Sequence, residues 1–348
     1  MLDPLHLDNH YLPRMYLKPW ETVGGKVWTY RILVPHNNVP LWKDFSSKSV
    51  GHHLHLYTQI VAGQETDEIE RWFDREFESP AKEPLTKALS DAQLTADDWK
   101  RLVRFLAAQD VRTPASFFQK MKRWDESLPA LLKETMEKSL KKYEEATKTG
   151  QPRLAPPPTE DREGLPLRVS VRRNPTGGGE LGAEILIGRQ YWIRSIKRAL
   201  TKTLKILHEH QWTILRPPKG MTWFTSDDPV IRLNMSSPTN YNFKGGWNSP
   251  GTCIFLPLGP EHLLYTQIGK RPPLRGERMT QEHADLVRRF TAEHAWRMIF
   301  ALKEDREVSL FRPRIVSPEE VRREREQWKA WHEQQVMAEK EISAERES

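Results

Sequence analysis

The stretch KVWTYRI, Lys26–Ile32, alternates polar and apolar positions and is rich in β-branched and aromatic types. That period of two is the signature of a half-buried strand. Gly24-Gly25 before it supplies a turn. The other clear strand patterns come late in the chain: WTILR at Trp212–Arg216, TWFTS at Thr222–Ser226, VIRL at Val230–Leu233, CIFLP at Cys253–Pro257 and HLLYTQI at His262–Ile268. They follow one another too closely for helical crossovers, so hairpins are the natural connection.

Between the early strand and the late ones the period changes. Ile69, Trp72, Phe73 and Phe77 fall at helical spacing, Pro80 and Pro84 interrupt, and a short helix follows over Leu85–Leu89. Thr95 and Asp98 form a capping box ahead of the stripe Trp99, Leu102, Val103 and Leu106, a helix ending near Val111. Further helices are expected over Pro114–Ala146, Gln190–His210 and Thr280–Leu302. Ser317-Pro318-Glu319-Glu320 opens a last helix whose apolar features are Trp328 and Trp331. Such a helix either projects into solvent or packs through a narrow seam.

The fold class that follows is α+β: a helical first half laid against an antiparallel or mixed sheet formed mainly by the second half, with a charged C-terminal helix. Strand Lys26–Ile32 precedes the helices and ties the two halves into one domain over residues 1–316. The Pro- and Gly-rich residues 150–179 form a linker or insertion, and residues 317–348 an appended helix.

Bulk properties narrow the function. The chain carries 54 Lys and Arg against 47 Asp and Glu, a formal charge of +7, but the signs are intermixed, so no basic stripe marks a purely electrostatic nucleic-acid binder. A single Cys253 excludes an internal disulfide and fits a reducing, cytoplasmic compartment. No apolar run approaches the roughly 20 residues of a bilayer span, and no secretory signal is legible.

The densest chemistry lies in LDNHYLPRMYLKPW, Leu7–Trp20, and in WFTSDDPVIRL, Trp223–Leu233. His10 is the obvious acid, base or ligand, set against its use as a core-edge histidine bonded to backbone. Asp227, at the end of a strand, would bind a divalent cation or act as a base, although turn chemistry alone explains Ser226-Asp227-Asp228-Pro229. Arg112 would stabilise developing negative charge, or lock two segments by an internal ion pair. Asn9, Arg14, Tyr16, Lys18 and Ser226 complete a substrate-binding set; if the segment is extended, Arg14 and Lys18 share a face with His10. The cluster His52, His53 and His55 lacks both a Cys partner and HExxH spacing, so by itself it does not make a metal site.

Several of these stretches occur together in a known order. NHYLPRMYLKPW, KVWTYRI, EIERWFDREFESPAKEPLTKAL, LVRFLAAQDVRTP, WFTSDDPV and FLPLGP, spread over Leu7–Leu302, resemble a bacterial family of unknown function, DUF4238. The resemblance implies recurrent polar positions at Asn9, His10, Pro13, Tyr16, Glu78, Arg112, Thr113, Pro114, Ser226, Asp227 and Pro229. Where the family often has Asn, this chain has Asp228. The resemblance carries no agreed activity. The expectation is a metal-dependent hydrolase of phosphodiesters or another anionic substrate, nucleic acid included, in defence against phage or mobile DNA. The alternative is an interaction module that docks a protein partner through the C-terminal helix.

Overall fold

Lys26–Arg31 is a strand with neighbours on both sides in the computed structural model of the chain, which describes residues 8–61, 64–149, 167–173, 179–185 and 187–347. It pairs antiparallel with Met298–Ala301 and with Trp42–Ser46, and Thr225–Ser226 completes a four-stranded sheet. A second sheet has five strands in the order Thr213–Leu215, His262–Gln267, Cys253–Gly259, Ile231–Ser237 and Asn240–Asn242, all antiparallel. Cys253–Gly259 is the middle strand and is buried almost throughout, hence its unbroken apolar run. Pro257 can donate no ladder bond, and the register slips directly after it. The class is α+β.

Helix Gln281–His294 serves both sheets. Ala292 packs with Tyr30, Trp42, Phe224 and Ile299, whereas Ala284, Val287 and Phe290 pack with Leu215, Ile231, Phe255 and Leu263. The helix was expected to run to Leu302, but it stops at His294. The N–H groups of Trp296, Arg297 and Met298 turn instead to the Asp227 carboxylate, at 2.9, 2.8 and 3.0 Å, and the chain leaves as the strand Met298–Ala301.

The prolines do not interrupt the first helical stretch as expected. Glu68–Phe73 widens into a π turn at Asp74–Glu78 and continues as Ser79–Leu89. Pro80 directly follows the π turn, whose irregular bonding accommodates the missing N–H, and Pro84 lies inside the helix. The capping box holds as read: Asp98 N donates to Thr95 Oγ1 at 3.1 Å and Thr95 N to Asp98 Oδ2 at 2.9 Å. Ser317 caps helix Pro318–Glu347 by accepting from Glu320 N at 3.1 Å.

The chain forms two compact units. The first gathers the described residues up to Ser116 and Ile196–His332, and holds both main sheets. The second gathers the described residues of Phe117–Ser195 and those from Glu333 onward. There Phe117 packs edge-on against Trp192, and the fully buried Arg189 pairs with Glu339 through Nε at 3.0 Å and through a second guanidinium nitrogen at 2.9 Å. Residues 150–166 and 174–178 of the expected linker lie outside the described residues; Leu167–Arg173 pairs antiparallel with Gly179–Ile185. Among the described residues no helix is long and apolar enough to cross a membrane.

Candidate functional site

Asp8–His10 pairs antiparallel with His52–Leu54, so His10 faces His52 and Asn9 faces His53. Gly51, at φ +69°, makes the entry turn; a Cβ there would come within 2.8 Å of the Leu12 side chain. Past this pairing the segment is helical, not extended: Arg14–Leu17 is a helical turn and Lys18–Trp20 a tighter one. The expected common face of His10, Arg14 and Lys18 is therefore lost. Arg14 and Lys18 are both exposed, and Lys18 borders an apolar cavity of about 850 Å3 with Met15, Leu85 and His262.

Arg112 joins this segment to the helices. It is fully buried; Nε donates to the Tyr11 carbonyl at 2.8 Å, one terminal nitrogen to the His10 carbonyl, and the other to Glu78 at 2.6 Å. Its face lies 4.9 Å from the Phe73 ring, and its own carbonyl accepts from the Tyr57 hydroxyl. Asn9 is buried too, with Oδ1 accepting from Tyr57 N at 2.9 Å. The Arg112 side chain is a strut between chain segments, closed to an incoming anion.

The Ser226–Pro229 turn has the same character. Asp227 is fully buried and accepts the three N–H bonds already described. Burial pushes its pKa up to about 7, opposed by those N–H donors and reinforced by the charge of Asp228. The oxygens expected to hold a metal are thus engaged by backbone. Ser226 bonds the backbone of Asp228 in both directions, and Asp228 accepts from the Thr113 hydroxyl at 2.9 Å. Tyr16, fully buried, lies 2.6 Å from the Thr225 hydroxyl and donates to the Pro257 carbonyl at 2.8 Å. Three expected substrate contacts, Asn9, Tyr16 and Ser226, are therefore out of reach of a ligand.

His10 is different. Its Nε2 is buried with no hydrogen-bond partner. Burial lowers its pKa, partly offset by Asp8 and reinforced by His52 and Arg14. The His52 ring lies 5.4 Å away and pairs with the Asp8 carboxylate. Glu70 accepts from the His10 backbone N–H, and burial drives its pKa up to about 7 against the pull of Arg112. Its Oε2 is also buried without a partner.

The other face of the strand meets the terminal helix. His53 lies 3.7 Å from the Trp328 ring, and His55 stacks on His332 at 3.8 Å and 21°. Trp328 and His332, four apart, share a side of the helix, and His55 reaches that side from the turn just past the strand. Glu65, on the strand Gln64–Thr66, reaches His332 Nε2 at 2.7 Å. His55, Glu65 and His332 each offer one ligand atom, and the three atoms lie within 4.8 Å of one another. His55 has φ +56°, a left-handed conformation uncommon outside glycine.

With this geometry in place, the family comparison is decisive. The model of a family described as "Protein of unknown function (DUF4238)" matches residues 8–305. The chain belongs to the DUF4238 family. No curated protein and no solved structure matches it significantly. The DUF4238 span covers the buried struts Asn9, Tyr16, Arg112, Ser226 and Asp227 and two members of the metal-competent trio, His55 and Glu65. His332 lies beyond it. The sequence reading reached His55 but set its cluster aside for want of a Cys partner and of HExxH spacing; the partners, Glu65 and His332, sit on two other segments at no fixed spacing.

Proposed function

We propose that this DUF4238 chain is a metal-dependent hydrolase acting on phosphodiesters or another anionic substrate, with the cation held by His55, Glu65 and His332 in place of Asp227. The observation that carries this reading is the convergence of two imidazoles and one carboxylate within 4.8 Å. Two nitrogens and one oxygen leave a fourth position open for water, as in catalytic zinc sites. A divalent cation there lowers the pKa of bound water and polarises a phosphoryl or carbonyl oxygen. All three side chains are only partly buried, so solvent and substrate have access. The left-handed backbone at His55 adds support, since such conformations collect at functional positions. The net charge of +7 favours an anionic substrate. His10 turns to His52, on the side of the strand away from His53 and the terminal helix, and stays outside this site. A bacterial source, a cytoplasmic setting and a role in defence are parts of the same reading that rest on the sequence alone.

The rival reading, an interaction module docking a partner through the terminal helix, loses its main feature. Trp331 is buried, and Trp328 is occupied by His53, Trp296 and Trp331.

The test measures bound metal and the hydrolysis of DNA, RNA and a small diester with zinc, manganese or magnesium. It compares wild type with His332→Ala and Glu65→Gln. One bound equivalent, with activity falling by about 100-fold or more in both folded variants, is expected. A wild type that takes up no divalent cation, or activity that survives both substitutions, would overturn the reading.

A further inference from the structure

A second cavity, of about 540 Å3, opens in the same unit and shares no lining residue with the histidine cluster. Its walls come from the start of helix Ala96–Val111, from the chain around His208–Thr213, and from the turn Arg271–Arg275. No carboxylate lines it, whereas Lys100, Arg271 and Arg275 do. Lys100 and Arg271 form no ion pair among the described residues, although elsewhere this chain pairs its charges densely: Arg288 with Asp305 and Glu307, Arg216 with Asp91 and Glu261. Unpaired cations around a concave surface raise the local concentration of anions.

Two indoles share the same lining. Trp212 is half-buried and held by its Nε1 donating to the Leu207 carbonyl at 2.8 Å. Trp99 is half-buried with the Arg275 guanidinium 6.0 Å from its ring. Two polar atoms along this lining are buried without partners: Thr213 Oγ1, on a side chain only 2% exposed, and His208 Nδ1. Burial, with Arg104 and Lys100 nearby, lowers the His208 pKa and so favours the neutral imidazole, which can donate or accept. Buried polar atoms normally have partners, so the pair points to a ligand or ordered water between the walls.

We infer that this cavity is a binding site for a nucleoside monophosphate, with the phosphate at Lys100 and Arg271, the planar base against Trp99 or Trp212, and its edge at Thr213 Oγ1 and His208 Nδ1. The combination of free cations, aromatic faces and unmatched hydrogen-bonding atoms fits a charged ligand with a flat, polar-edged ring, and excludes a purely apolar one. The volume lies within the ordinary range of small-molecule sites. The inference stands independently of the hydrolase reading.

Calorimetric titration of the full chain at low salt tests it, using adenosine monophosphate, uridine monophosphate, adenosine and inorganic phosphate. A nucleotide is expected to bind at least about tenfold more tightly than either adenosine or phosphate alone. Lys100→Ala and Arg271→Ala, both at exposed positions, should each weaken nucleotide binding about tenfold, the scale of one charge-assisted contact. Trp99→Leu or Trp212→Leu, whichever indole faces the base, should weaken it while leaving phosphate binding unchanged, and nucleotide binding that survives both would overturn the inference. Absence of saturable nucleotide binding up to about 1 mM, inorganic phosphate binding as tightly as nucleotide, or full binding by the Lys100→Ala, Arg271→Ala double variant would overturn the inference.

Discussion

The Tyr16 hydroxyl is 2.6 Å from the Thr225 hydroxyl, and because it also donates to the Pro257 carbonyl it links the four-stranded sheet to the middle strand of the five-stranded one. Tyr16→Phe keeps the ring and leaves these buried groups unmatched. The expected cost is about 1–3 kcal/mol, read as a lower urea midpoint with unchanged slope. No change in midpoint would mean that the sheets are held without this clip.

Arg112 uses three guanidinium nitrogens on three acceptors: Tyr11, His10 and Glu78. Lysine offers one ammonium in place of the planar fork, so Arg112→Lys should destabilise the protein by about 3 kcal/mol. Thermal unfolding should show a lower Tm. Loss of activity at full stability would instead place Arg112 in contact with substrate.

Glu70 makes stability depend on pH. Its folded pKa of about 7 lies above the ordinary 4.5. The folded state therefore holds a proton that the unfolded state releases. This contribution is fully present below about pH 4.5 and is lost as pH rises through about 7. Glu70→Gln should flatten that part of the profile and raise stability at pH 8 by about 1–3 kcal/mol. An unaltered pH profile in chemical denaturation would show that the carboxyl is ionised in the fold.

His55 sets function against stability. At φ +56° a side chain carries strain that glycine lacks. His55→Gly should leave metal-free Tm unchanged or raise it, the relief of about 1 kcal/mol being offset in part by the greater unfolded-state freedom of glycine. The same substitution should abolish the stabilisation by zinc, worth about 2.7 kcal/mol at a hundredfold excess over Kd. A variant that retains zinc stabilisation would remove His55 from the ligand set.

Local signals were legible and distant ones were not. The Thr95–Asp98 box, the Ser317 cap and the Lys26–Arg31 strand each depend on residues within a few positions, and each is found in place. Met298–Ala301 was read as helix because a short apolar run after a helical stripe has no period of its own. What ends that helix is Asp227, some seventy residues earlier. Asp227, Arg112 and Tyr16 stood out as polar motif residues, yet buried struts and catalytic groups draw on the same residue types. Burial alone separates them. The His55, Glu65 and His332 trio shows the reverse: no fixed spacing announces it, and only folding brings the three together.

The terminal helix therefore has a second consequence. The family match ends at residue 305, whereas His332 lies on helix Pro318–Glu347. If the trio binds metal, two ligands belong to the shared domain and the third to a segment outside it. Coordination would then be conditional: whatever lifts the helix off His53 and His55 also dismantles the site. Metal occupancy would report helix docking, and a family member with the same core but no such helix would carry an incomplete ligand set.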